Sequence, residues 1–362
     1  MVRTISPYLS RAIRIIATVS FSVALASLVQ AAPVPFTYVA IPDIQDETDS
    51  HPEMLQSDVN WLVSNQSSQN IAYVGQLGDI TNASGAAEFQ TAHNILFGTA
   101  TQSGLSNASG LAWGTCPGDH DSVPQANGAM TNYLTSFGPT NFTGQNWYGG
   151  SNMNSDGTAG ASSYQTFQEG GRTFLVLNLE YHAVTPSSAE LSWAQGVLNA
   201  HPGLPTILQT HQYLNNNGAL LPGEGTGMWN GLVNNNSQIF MVTSGHVDGT
   251  TVDSGEAFTT ATDAAGQPVY ELLSNFQDIN SGDGLMRLYQ FDEANSAIHV
   301  KTYSPYDTTT PYQTDAASQF DIAMNFNARL GSAVPEPSTL ILALGGAAAL
   351  FTYRWLRCRK AS

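Results

Sequence analysis

Cysteine is almost missing from this 362-residue chain, which holds only Cys116 and Cys358. Cys358 lies in a basic C-terminal tail, so the body of the chain has one thiol. It cannot close an internal disulfide, nor offer a pooled set of cysteine ligands to zinc. Positive charge is scarce as well: 11 Lys and Arg stand against 28 Asp and Glu, a formal net charge of -17. Arg3, Arg11, Arg14, Arg354, Arg357, Arg359 and Lys360 sit at the two ends, which leaves Arg172, Arg287, Lys301 and Arg329 for everything between. So acidic a surface repels polyanions and carries no basic stripe, which argues against nucleic acid as a partner.

The two ends have layouts of their own. In residues 1–31, Arg3, Arg11 and Arg14 precede an apolar stretch from Ile15 to Val29 and small residues at Ala31. This is the pattern of a secretory signal peptide, with an apolar stretch shorter than the ~20 residues of a membrane span. In residues 334–362, Pro335-Glu336-Pro337 is followed by a nearly unbroken apolar run from Leu340 to Tyr353 and then by the basic cluster. The run is expected to cross a bilayer as a transmembrane helix, with the cluster held on the cytoplasmic side. That end resembles the PEP-CTERM sorting signal of bacterial exported proteins, which implies an exosortase-type processing enzyme as a partner. The protein is thus expected in the cell envelope or outside the cell, transiently anchored to the membrane by the C-terminal helix. A domain over residues 32–316 and a linker over 317–333 fill the space between the ends, enough chain for one sizeable core.

Inside that domain, five short apolar runs each stop at a residue able to bind metal. Tyr38 to Ile41 leads to Asp43 and Gln45, Ile71 to Val74 to Gly78-Asp79, and Leu111 to Gly114 to Gly118-Asp119-His120-Asp121. Thr206 to Leu208 leads to His211, and Ile239 to Val242 to Gly245-His246-Val247-Asp248. Ligands of an open α/β sheet gather beyond the carboxyl ends of its strands, so these loops are expected to converge on a metal site. Amphipathic helices are expected from His51 to Ser64, Ala86 to Ala100 and Ser187 to Asn199, and a further strand over Arg172 to Leu179. Strand, helix, strand is the crossover unit of a largely parallel sheet. The Gly-, Asn- and Ser-rich stretch from Asn141 to Gly171 reads as a long irregular insert, either a rim over the site or a surface hairpin. Val269 to Ser274, Leu285 to Phe291 and Ala297 to Tyr303 read as consecutive strands forming an antiparallel second layer.

The ordered set Asp43/Gln45, Gly78-Asp79, Gly118-Asp119-His120-Asp121, His211 and Gly245-His246-Val247-Asp248 resembles the calcineurin-like metallophosphoesterases, and the tail strands resemble their secreted subgroup. The resemblance implies an α/β sandwich of two mixed sheets flanked by helices. It also implies an exported phosphohydrolase that cleaves a phosphate monoester or diester with a metal-bound hydroxide at a binuclear centre. Two divalent or trivalent ions (Mn, Fe, Zn, Mg or Ca) would be held by Asp43, Gln45, Asp79 and Asp248 on one side and by Asp79, Asp119, His211 and His246 on the other. His120 would protonate the leaving group, with Asp121 orienting its ring. The chain departs from the family pattern at three points: Gln45 and Asp248 stand where many members have histidine, and Asp119 where they have asparagine. Oxygen-rich ligands suit harder ions. The same departures support an alternative, a weakly active or inactive protein that binds metal or another ligand in the envelope or extracellular matrix.

Overall fold

The computed structural model describes residues 33–126, 128–153 and 157–333; the expected signal peptide and the segment 334–362 lie outside them. The described strands fall into two sheets of seven. In the first sheet, β1 (Phe36–Ile41), β2 (Ile71–Gln76) and β3 (Ala112–Thr115) run parallel. The second contains β4 (Tyr148–Met153), β5 (Ala159–Glu169), β6 (Arg172–Leu179), β7 (Thr206–Thr210), β8 (Ile239–Ser244), β9 (Glu256–Thr262) and β10 (Pro268–Ser274) in the order β4-β5-β6-β7-β8-β10-β9. Its centre, β6 through β8 to β10, is parallel. The chain then returns to the first sheet with β11 (Met286–Asp292), β12 (Ala297–Tyr303), β13 (Tyr312–Gln313) and β14 (Gln319–Ala323), where β11 pairs antiparallel with β1.

Strands covered on both faces should be apolar nearly throughout, and β1 and β8 are buried at every position. The sheets meet face to face. Tyr38 Oη lies 2.9 Å from Thr243 Oγ1, Tyr73 donates to Gln165 Oε1 over 3.0 Å, and the Tyr73 and Phe167 rings stack at 5.5 Å. Helices cover the outer faces. Pro52–Asn65 buries Met54, Leu55, Val59 and Leu62, the stripe expected from its sequence. Ser188–Ala200 buries Ala194, Val197 and Leu198, and opens at an N-cap, Ser187, whose hydroxyl accepts from the Glu190 amide. The architecture is therefore an α/β sandwich of two mixed sheets flanked by helices.

Several expectations are corrected. The three late strands do not form one layer: β10 lies parallel beside β8 in the second sheet, and only β11 and β12 cross to the first. Within 141–171 the described residues form a hairpin rather than an irregular rim, because β4 and β5 pair antiparallel and continue onto β6. The helix from Ala86 ends at Phe97, where Gly98 leaves helical geometry at φ 84°. Residues 317–333 are no linker, since they hold β14 and the helix Phe326–Leu330. Arg172 Nε donates to the Gly331 carbonyl over 2.9 Å and Phe326 and Leu330 are buried, so this segment belongs to the packed body.

The expected transmembrane helix is corrected too, and with it membrane attachment through a C-terminal helix. Among the described residues no helix is long and apolar enough to cross a membrane. Length is the physical reason: the run from Leu340 to Tyr353, which lies outside the described residues, would reach only ~21 Å as a helix at 1.5 Å per residue. The hydrocarbon core of a bilayer is ~30 Å thick.

Candidate metal centre

The carboxyl ends of β1, β2 and β3 in one sheet and of β7 and β8 in the other open onto the same place. Their turns are tight. Asp43, Asp79 and His246 have φ of 35°, 49° and 73°, a left-handed backbone that non-glycine residues adopt at a cost of order 1–3 kcal/mol. Two glycines admit the close approach. A Cβ on Gly118 would overlap the Asp79 carboxylate and backbone nitrogen, and one on Gly245 would overlap Asp43 Oδ2.

His211 is the hub. Its Nδ1 lies 2.9 Å from the Leu77 carbonyl, which accepts the ring proton there and turns Nε2 inward. Nε2 is 3.1 Å from Asp119 Oδ1 and 3.3 Å from Asp79 Oδ1, and Asp43 Oδ1 lies 3.8 Å from Nδ1. His246 Nδ1 stands 3.1 Å from both Asp119 Oδ1 and His211 Nε2. Two groups thus gather donor atoms within 4.8 Å, Asp43/Asp79/His211 and Asp119/His211/His246, with Asp79/Asp119/His120 alongside. Burial tends to lower His211, but Asp79, Asp119 and Asp43 outweigh it and hold the imidazole well above its usual range. Burial, the largest influence, pushes Asp43 well above the carboxylate range despite His211. Burial would raise Asp119 too, yet its contacts with His211 and His246 override it and hold the group far below.

The donor set fits metal ions. Asp43 Oδ2 and Gln45 Oε1 are buried without a hydrogen-bond partner, an arrangement that costs free energy unless something accepts those lone pairs. Gln45, at the start of the helix Gln45–Ser50, donates from Nε2 to Asp79 Oδ2 over 3.2 Å and also contacts Gln277. Asp43, Gln45, Asp79, Asp119, His120, His211 and His246 therefore come together. Asp248 does not join them: it falls in none of the donor groups, and its Oδ2 lies 3.4 Å from Gln277 Nε2 instead.

The expected pairing of Asp121 with His120 is corrected. Asp121 accepts from the backbone nitrogens of Gly118, Ile80 and Thr81 and from Thr81 Oγ1, all within 3.1 Å. Both its oxygens are thereby spent on holding the β2 and β3 loops together. Burial, then Asp79, pushes it up to about 7. His120 is oriented by the Asn82 carbonyl, 2.8 Å from Nδ1, while Nε2 lies 4.0 Å from Asp119 Oδ2. Burial would lower His120, but Asp79 first and Asn82 next raise it overall. Gln277, Asn82 and Tyr181, whose ring lies 5.9 Å from both His211 and His246, were not expected from the sequence. Gln277 follows β10, so the strand-end rule reaches it once β10 is known to run parallel to β8.

No family model matches the chain. The uncharacterized protein YvnB of Bacillus subtilis (strain 168) is 29% identical over 276 residues, 75% of this chain and 20% of that protein. The chain thus spans about a fifth of that curated relative's length. Among solved structures, GAP50, described as the anchor in the inner membrane complex of Plasmodium, has a TM-score of 0.43 at 10% identity, covering 84% of this chain and 98% of that one. The calcineurin-like phosphoesterase YfkN from Bacillus subtilis has a TM-score of 0.40 at 11% identity, covering 90% and 99%. Likenesses this distant carry no weight beside the strand order and the site geometry themselves.

Proposed function

We propose that the chain is a metal-dependent phosphohydrolase of the calcineurin-like kind, cleaving phosphate monoesters or diesters at a two-ion centre, and that it is exported under the direction of residues 1–31. The observation that carries this reading is the convergence, from five strand ends, of two overlapping donor groups, Asp43/Asp79/His211 and Asp119/His211/His246. Asp43, Gln45 and Asp79 would hold one ion; Asp79, Asp119, His211 and His246 would hold the other. When bound, such ions supply a water nucleophile at neutral pH and polarise the phosphoryl group. His120 keeps Nδ1 on the Asn82 carbonyl, so its Nε2 is the atom that can donate to a phosphoryl or leaving oxygen. Arg172 and Arg287 are engaged by Glu293 and Glu256, so neither is free to recognise the charge of a substrate.

The position of Asp248, held by Gln277 outside the donor groups, favours a second reading: a weakly active or inactive binding protein on the same fold. One experiment separates the two. Hydrolysis of p-nitrophenyl phosphate and bis-p-nitrophenyl phosphate is measured alongside metal content, with manganese, zinc and calcium added in turn. Metal-dependent turnover that disappears in Asp79→Asn supports the hydrolase. A folded, metal-loaded protein without turnover supports the binder.

A further inference from the structure

A different set of acids lies beyond the helix that begins at Gln45. Glu47 on that helix is 3% exposed and Asp58 on the helix Pro52–Asn65 is 1% exposed. Neither oxygen of Asp58 has a hydrogen-bond partner, and Glu47 Oε2 has none. By contrast, the buried acid Asp121 takes four donors, and Glu256 is held by Arg287, Thr302 and Ser318. The charged groups acting on Asp58 are Glu47 and Asp283, both acidic, so among the described residues no cation neutralises it. An isolated buried carboxylate is among the costliest arrangements a fold can hold.

Both carboxylates aim at one short turn. A Cβ on Gly282 would stand 2.5 Å from Glu47 Oε1, and one on Gly284 would stand 3.0 Å from Asp58 Oδ1. Half-buried Asp283 lies between those glycines, its carbonyl accepting from Ser304 Oγ over 2.6 Å. We propose that Glu47, Asp58 and Asp283 form a separate binding site for a hard divalent cation, calcium, that ties the two helices after β1 to the turn before β11. Only oxygen donors are present, as calcium prefers, and calcium accepts carboxylates, backbone carbonyls and water in flexible numbers where magnesium demands a near-ideal octahedron. The three carboxylates are less tightly gathered than the donors around His211, so binding would close the turn onto Glu47 and Asp58. None of the three acids belongs to the donor groups of the first centre.

Terbium luminescence on the chelator-stripped full chain tests this, because Trp61 lies one helical turn from Asp58 and packs on Tyr303 at 4.8 Å, providing a local sensitiser. In wild type and in Asp79→Asn, we expect sensitised terbium emission that calcium displaces, and a melting temperature that rises with calcium. Asp58→Asn and Asp283→Asn should weaken terbium binding by roughly an order of magnitude or more, because affinity for such ions follows the charge count of the ligands, and keep the wild-type manganese content. Asp283 is half-buried, so its variant serves if Asp58→Asn does not fold. Wild-type terbium affinity in the asparagine variants would overturn the site. So would a wild-type melting temperature indifferent to calcium, which would leave Glu47 and Asp58 as a pair sharing a proton.

Discussion

His211 and His246 face each other through ring nitrogens 3.1 Å apart, with Asp119 Oδ1 3.1 Å from each. Two imidazole nitrogens so placed must share a proton or give their lone pairs to a cation. On the metal reading, a chelator removes the cation and leaves two carboxylates and two histidines crowded together. Chelation is therefore expected to lower the melting temperature, and restoring manganese to return it. His211→Ala, which deletes the hub, should lose both the metal and the response. Calorimetry with metal analysis on one sample checks this, and an unchanged melting temperature in stripped protein would count against the centre.

Asp121 and His120 are neighbours in the chain but have different work. Asp121 holds four donors from two loops, so Asp121→Ala strands buried backbone amides at about 1–3 kcal/mol each before relaxation. The variant is expected to lose several degrees in melting temperature. His120→Asn removes a ring whose polar contacts among the described residues are with Asn82, Gln125 and the edge of Asp119, with Asp79 close by. It should fold with nearly wild-type stability and lose kcat by about 100-fold or more, the usual size of a general-acid contribution. Equal stability losses in the two variants would refute this division.

His182 supplies a pH dependence away from the centre. Its Nε2 is 2.7 Å from Glu190 Oε2 and 3.6 Å from Glu180 Oε1. Burial would lower the imidazole, but the Glu190 hydrogen bond and the two charges outweigh it, so the group is raised from its usual value. A raised folded value means stability that is fully present below the unfolded value of about 6.5 and is lost as pH climbs through the folded one. His182→Gln should therefore destabilise most near pH 5 to 6 and progressively less toward pH 9. Urea denaturation across that range measures the difference, and a cost independent of pH would remove the ion pair from the account.

Much of this arrangement was legible in the sequence because the decisive turns lie at the ends of apolar runs. β1, β2, β3, β7 and β8 are buried strands whose unbroken apolar character ends at Asp43, Asp79, Asp119, His211 and His246. What failed was pairing. β10 carries the same apolar signal as its neighbours, and nothing within it says whether β8 lies parallel beside it, so Gln277 beyond its end went unseen. The sequence also set Asp121 beside His120, whereas the 3-10 turn over Asp119–Asp121 directs the carboxylate into the loop amides. Sequence adjacency gives no side-chain direction in an irregular turn.

Gly118 and Gly196 provide a matched test of how rigid the centre is. Gly196, inside the helix Ser188–Ala200, has open space where a Cβ would go. Gly196→Ala should then stabilise the chain by roughly 0.5–1 kcal/mol through the helix preference for alanine. At Gly118 the new methyl would meet not only the Asp79 carboxylate but also the Asp79 backbone nitrogen, and backbone cannot step aside as a flexible side chain can. Asp79 is already at a positive φ with its Oδ1 accepting from the His120 amide over 3.0 Å. Gly118→Ala is expected to displace that carboxylate, and with it the bond and the approach to His211. Metal content and turnover should fall together, while the far-UV circular dichroism of the sandwich stays unchanged. A Gly118→Ala protein that binds metal as wild type does would show that the β2 and β3 loops can separate without cost, and that Asp79 does not need the position it occupies.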